Sequence, residues 1–162
     1  MKHTKSAFPT AQAGVALIEF AIAIPILIMV LIGIIEYGRY TYFAIEIGNA
    51  AHAGAAYGSR TATTGADATG MKNAAIADGQ NAIFPLTASS VTAGNACACW
   101  TGTLGAAAPT ASQCDTCTTG RQVTYAQVTV TGTISPLFNY TMLGLPKSWT
   151  VARTATIRIM GQ

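Results

Sequence analysis

Residues 14–38 read GVALIEFAIAIPILIMVLIGIIEYG, and this stretch decides the architecture of the chain. From Val15 to Ile35 the only charged residue is Glu19. At about 1.5 Å per helical residue, this run is roughly 32 Å long, close to the ~30 Å hydrocarbon core of a bilayer. The sequence therefore predicts a transmembrane helix over 15–35.

A secretory signal is the alternative interpretation of an apolar run near an N-terminus. The hydrophobic part of such a signal is usually about 7–15 residues long and carries no acid. The run here is longer and contains Glu19, which favours a membrane anchor. Small-residue cleavage sites do occur around residues 49–56 (NAAHAGAA), so a mature terminus near Ala50 would indicate secretion.

Charges on either side of the run predict its orientation. Lys2 and Lys5 precede it and no acid stands before Glu19, so the positive-inside rule places the N-terminus in the cytoplasm and the rest of the chain outside it. We expect a single-pass protein of the bacterial inner membrane. The whole chain has a net charge of +3, but its Lys and Arg residues do not form a cluster. Nucleic acid is therefore not an expected partner.

Placing the charged Glu19 side chain in lipid costs free energy unless its carboxylate reaches the headgroups or pairs with a cation. An ordinary anchor would let it reach the membrane edge. If the chain is instead cut after Gly14, Val15 becomes a positively charged N-terminus and Glu19 the fifth residue. Its carboxylate could then neutralise that amine, either within the same chain or in a neighbouring copy.

A basic leader, Gly14, four residues, Glu19 and the aromatic Phe20 together resemble a type IV prepilin processing site. The pattern is closest to the tight-adherence (Tad/Flp) branch, in which tyrosine usually follows the glutamate. The wider stretch 14–60 is similar to the TadE family, with its E-F-A start, a mid-membrane proline, a glycine and an acid near the outer end, and an alanine-rich helix.

The resemblance implies a minor pilin or pseudopilin. A prepilin peptidase would remove the leader 1–14 by cutting between Gly14 and Val15. The product would assemble with other pilin subunits and the Tad machinery into a pilus or secretion apparatus that serves adhesion and biofilm formation. The alternative is an uncleaved, single-pass envelope protein with a binding or surface role.

Beyond the membrane, residues 36–60 are predicted to continue the helix. Glu36 and Arg39 are spaced to pair on its surface. One apolar stripe recurs at helical spacing and would pack on a head domain: Tyr37, Tyr40, Ala44, Ile47, Ala51 and Ala55.

Residues 61–162 are expected to form an extracytoplasmic head, which makes the fold class α+β: a long N-terminal helix, then a short helix and a small antiparallel sheet. Residues 61–70 have turn composition and 71–84 read as the short helix. Alternation of apolar and polar residues predicts strands in 122–134 and 147–160. In the first strand the apolar residues change parity, from odd positions to even ones, which predicts a bulge near Ala126–Gln127. The connection 135–146 is apolar and would cover the sheet, a partner or the membrane.

A predicted loop over 87–120 contains every cysteine: Cys97, Cys99, Cys114 and Cys117. In an oxidising compartment two disulfides are expected, with three connectivities open. A four-thiolate zinc site is the alternative, although C-x-C is tighter than the usual spacing. A redox role for CDTC is disfavoured, because no βαβ pattern surrounds it and Asp115 does not favour a thiolate.

The sequence offers little for catalysis. It has two histidines, His3 in the leader and His52 in the alanine-rich helix, and no phosphate loop or nucleophile elbow. The acids are scattered rather than paired for acid–base chemistry. We predict a non-enzyme with no cofactor, no metal and no small-molecule substrate.

Overall fold

The computed structural model describes residues 10–80, 90–100, 117, 120–138, 140–141, 144 and 146–160, with side chains from residue 14 onward. Three helices precede three strands, which confirms the predicted α+β class. The elements are α1 (Thr10–Gly58), α2 (Ala62–Ala66), α3 (Ala68–Gly79), β1 (Val91–Trp100), β2 (Arg121–Ile134) and β3 (Trp149–Arg158).

Helix α1 contributes to two compact units, one ending at Arg39 and the other beginning at Tyr40. In the first unit the helix passes through Pro25 without ending. Large apolar side chains between Val15 and Ile35 are mostly exposed, by 37–72%. The helix is long and apolar enough to cross a membrane, with a mean hydropathy of 2.9 in its most apolar window. By composition this segment suits hydrocarbon rather than water.

The second unit contains an antiparallel sheet in the order β1-β2-β3. Its register runs without interruption from Val91↔Val130 to Trp100↔Arg121 and from Tyr125↔Arg158 to Ile134↔Trp149. The predicted bulge is therefore wrong.

The parity change in β2 has a different cause. Ala96, Cys97 and Ala98 are consecutive in β1 and all buried, so both faces of the sheet are covered at that end. Val123, paired with Ala98, can therefore be buried on the face opposite Val128.

The core of the second unit forms where the outer part of α1 packs on the sheet. Ile47, Ala51 and Ala55 from the predicted stripe are buried there, while Tyr40 and Ala44 lie at its margin. Phe43 and Ala50 belong to the same core, although the predicted stripe left them out. Burying Phe43 or Ile47 contributes about 1.5–3 kcal/mol of transfer free energy each. The helix stripe is thus confirmed from Tyr40 to Ala55 and is wider than predicted there, whereas its first predicted member, Tyr37, is 71% exposed.

Two caps explain why the predicted loop 61–70 is mostly helical. Thr61 and Thr64 form a capping box at the start of α2, and the Asp67 side chain accepts a hydrogen bond from the Gly70 backbone at 2.8 Å, at the start of α3. Thr and Asp satisfy unpaired N–H groups at helix starts as readily as they favour turns. The predicted short helix thus begins three residues early, at Ala68; residues 81–84 lie outside the described range.

Strand β1 occupies residues 91–100 of the predicted loop. The strand VTAGNACACW is rich in Ala, Gly and Asn, which carry little intrinsic preference for strands. Pairing along its whole length with β2 supplies the backbone hydrogen bonds instead. The prediction of a loop from composition was wrong because a tertiary partner decided the conformation.

Candidate processing and anchoring site

The predicted cleavage bond, between Gly14 and Val15, lies inside helix α1, which begins at Thr10. Glycine lowers helix stability by about 1 kcal/mol relative to alanine. A Cβ placed on Gly14 would meet nothing within 4 Å, so packing within the chain does not require glycine at this position. A requirement for glycine here would therefore have to come from another molecule, such as a peptidase pocket.

Val15 and Glu19 are four residues apart on this helix, so their side chains project from the same face. Both are exposed, as is Phe20. If Val15 were the N-terminal residue, its amine would start the turn whose other end carries the Glu19 carboxylate. The helical geometry therefore makes a pairing within one chain feasible, and the exposure of Glu19 leaves it equally open to a neighbouring copy.

An ion pair lies just beyond the apolar run. Arg39 Nη1 donates to Glu36 Oε2 at 3.2 Å, as the i, i+3 spacing predicted. Pairs of this kind are worth about 0.3–0.5 kcal/mol when exposed. Tyr37, 71% exposed, lies within the same turn of helix. Charge and aromatic side chains together are typical of the headgroup region, so residue 36 would mark one end of the candidate membrane span.

One turn further along, the neighbouring Glu46 carboxylate raises the pKa of Tyr42 above its usual 10.0, through hydrogen bonding and then through its charge. The second carboxylate oxygen of Glu46, Oε2, is buried and has no hydrogen-bond partner among the described residues. The sequence analysis did not identify this pair, although its i, i+4 spacing on a helix was a usable signal.

A second contact, also missed by the sequence analysis, ties the end of α1 to α3. The Tyr57 hydroxyl donates to Asp67 Oδ2 at 3.1 Å. The Asp67 carboxylate raises the pKa of Tyr57 above its usual 10.0, through this hydrogen bond and then through its charge, while Arg60 acts in the opposite direction. The Arg60 guanidinium lies 5.7 Å from the centre of the Tyr57 ring. No local pattern signals this pair, because its members are ten residues apart, Tyr57 in α1 and Asp67 at the N-cap of α3.

Cys99 and Cys117 form a disulfide with a Cα–Cα distance of 5.6 Å. Cys97 is disulfide-bonded as well, and Cys114 lies outside the described residues. The bridge joins the C-x-C end of the cysteine region to its C-x-x-C end. Bonded sulfurs cannot serve as zinc thiolates, so the disulfide interpretation is favoured over the zinc site.

The described residues contain no group of three or more His, Cys, Asp or Glu side chains able to hold a metal ion. His52 is exposed on α1. The described part of the chain presents a candidate membrane span, a helix–sheet head and a disulfide.

Comparison with known families finds one match in this region. A family model described as TadE-like protein matches residues 14–56, which confirms the resemblance over the membrane run and most of its helical extension. The family is associated with the Tad pilus. The match begins at Gly14 and ends before α2. Neither the curated proteins nor the solved structures yield a match to this chain.

Proposed function

We propose that this protein is a minor pilin or pseudopilin of a Tad-type pilus or secretion apparatus, matured by a prepilin peptidase that cuts between Gly14 and Val15. One observation carries the proposal: the family match starts at Gly14, directly before the exposed apolar run that contains Glu19. Its role is assembly rather than catalysis.

Maturation would convert an anchor into an assembly element. Removal of the leader 1–14 exposes a charged Val15 amine one helical turn from Glu19. Lateral docking of apolar helices in the membrane would then bring these two charges together, between copies or within one. An acid and an amine that neutralise each other cost less in hydrocarbon than either charge alone. Glu19 would thereby set the axial register between neighbouring helices.

The proposed topology places the N-terminus in the cytoplasm and the head outside the inner membrane. The disulfide between Cys99 and Cys117 supports this orientation, because structural disulfides persist in oxidising compartments. Partners would be the peptidase, other pilin subunits and the Tad machinery, with adhesion as the output of the assembled apparatus.

The test is the N-terminal residue of the protein purified from its native membrane. Val15 is the expected result. Met1, with the peptidase active, would overturn the pilin assignment and leave an uncleaved envelope anchor. A terminus near Ala50 would instead identify a secreted domain.

Two glycine substitutions sharpen this experiment. Gly14→Leu should block cleavage, whereas Gly33→Leu, elsewhere in the same helix, should leave it intact. A Cβ at either position meets nothing within 4 Å, so neither change should disturb packing within the chain. Equal cleavage of both variants would contradict recognition at Gly14.

A further inference from the structure

The connection between β2 and β3 lies at the end of the sheet where α1 enters the second unit. A Cβ built on Gly132 would lie 2.6 Å from Phe43 Cζ. Towards the other end of β2, the Cβ of Ala126 would lie 2.8 Å from a Cβ on Gly58. Helix α1 therefore runs antiparallel to β2, and the helix residues nearest the membrane run lie beside the end of β2.

The length of the chain limits how far this end of the sheet can lie from the apolar run. Ile35 precedes Phe43 by eight residues. Even a fully extended segment of that length spans at most about 28 Å. Any connection leaving the sheet beside Phe43 is thus within reach of the headgroup region if 15–35 spans the bilayer.

Two apolar side chains among the described residues of this connection are exposed. Leu137 and Phe138 are 55% and 53% exposed. They line a shallow cleft of about 330 Å³ together with Pro136, Tyr140 and Lys147. The Phe138 and Tyr140 rings meet edge to face at 6.3 Å. Aromatic rings beside a lysine are characteristic of side chains that rest at a membrane–water interface.

The charge of this part of the chain fits the same surface. After Asp115 the sequence has no acid, and its cations are Arg121, Lys147, Arg153 and Arg158. Lys147 lies in the connection itself and is exposed. A cation beside exposed apolar groups complements anionic lipid. A soluble partner would not require these groups to lie within reach of the headgroup region.

We propose that the β2–β3 connection is a second membrane contact, in which Leu137 and Phe138 enter the headgroup region and Lys147 pairs with anionic lipid. The proposal rests on the membrane span of the proposed function but not on cleavage at Gly14.

The test uses the full chain at one copy per nanodisc, in phosphatidylcholine with phosphatidylglycerol and with acyl chains brominated close to the headgroups as a fluorescence quencher. Phe138→Trp is compared with Thr156→Trp, an exposed position of β3 paired with Gln127 in the far half of the sheet. The parent, with Trp100 and Trp149, supplies the baseline. We expect the added fluorescence at 138 to be quenched at least about twofold more strongly than that at 156, because bromine quenches only within the bilayer.

The outcomes separate three explanations. Equal quenching at 138 and 156, in protein that co-purifies with discs, overturns the membrane contact. Blue-shifted emission without quenching, seen only in discs with several copies, assigns the connection to a second subunit and also overturns it. Failure to enter discs at all contradicts the proposed anchor instead. Lys147→Glu should reduce quenching at 138 in anionic discs, and an unchanged signal would overturn the pairing with lipid charge.

Discussion

The ring of Phe43 occupies the space that a side chain at Gly132 would need: a Cβ there would lie 2.6 Å from Phe43 Cζ, and 2.7 Å from Ile47 Cδ1. The missing side chain at Gly132 therefore leaves room on β2 for two core side chains of α1.

Gly132→Ala should destabilise the head by about 1–3 kcal/mol, because the added methyl forces Phe43 or the backbone to shift. Gly94→Ala is the matched control, since a Cβ there meets nothing within 4 Å on β1. Urea unfolding of both variants measures the difference. Equal stabilities would show that the core yields at Gly132 and that the close approach is not limiting.

Alkaline pH should weaken the link between α1 and α3. The pKa of Tyr57 is raised above 10.0, so its neutral hydroxyl is the form the fold favours. The stabilisation is complete below pH 10 and is lost as the pH rises through the folded-state pKa. Thermal melts between pH 8 and 11.5, with tyrosinate absorbance followed in parallel, measure this loss.

Asp67→Asn should lower the pKa of Tyr57 towards its usual value, because the negative charge is removed. Tyr57→Phe should remove one titrating phenol and flatten that part of the stability curve. If Asp67→Asn leaves the tyrosine titration unchanged, the hydrogen bond at 3.1 Å does not control this ionisation.

Loss of the Cys99–Cys117 bridge should cost about 2–4 kcal/mol, mainly because the unfolded chain regains freedom across the closed loop. The double variant Cys99→Ser/Cys117→Ser leaves no unpaired thiol from this bridge. Its urea midpoint is compared with that of the oxidised parent. A midpoint equal to the parent's would mean that strand pairing between β1 and β2 alone holds this end of the sheet.

Glu19→Ala should insert into the membrane normally and fail to assemble, since insertion needs only apolar length while the proposed register needs the carboxylate. Glu36→Ala is the control, because it removes an acid from the same helix and breaks the 3.2 Å pair with Arg39. Co-purification with other pilus subunits measures assembly. An assembled Glu19→Ala variant would leave the carboxylate without the proposed role.

The sequence by itself determined the membrane run, the helical extension and two of the strands. These features repeat at short range: an unbroken apolar run, a 3.6-residue stripe and a two-residue alternation are each visible within about 20 residues. The resemblance around Gly14 and Glu19 also lies in one contiguous stretch, as does the Glu36–Arg39 pair.

Only the tertiary structure decided the rest. Strand β1 exists because β2 supplies its hydrogen bonds, and neither composition nor spacing revealed that partner. Tyr57 contacts Asp67, and Phe43 packs against Gly132, only because separate elements pack together in the fold. The apolar connection after β2 was predicted to cover the sheet, a partner or the membrane. We propose the membrane because the end of β2 that precedes this connection lies beside Phe43. Contacts between distant residues depend on how elements pack, which a local pattern does not encode.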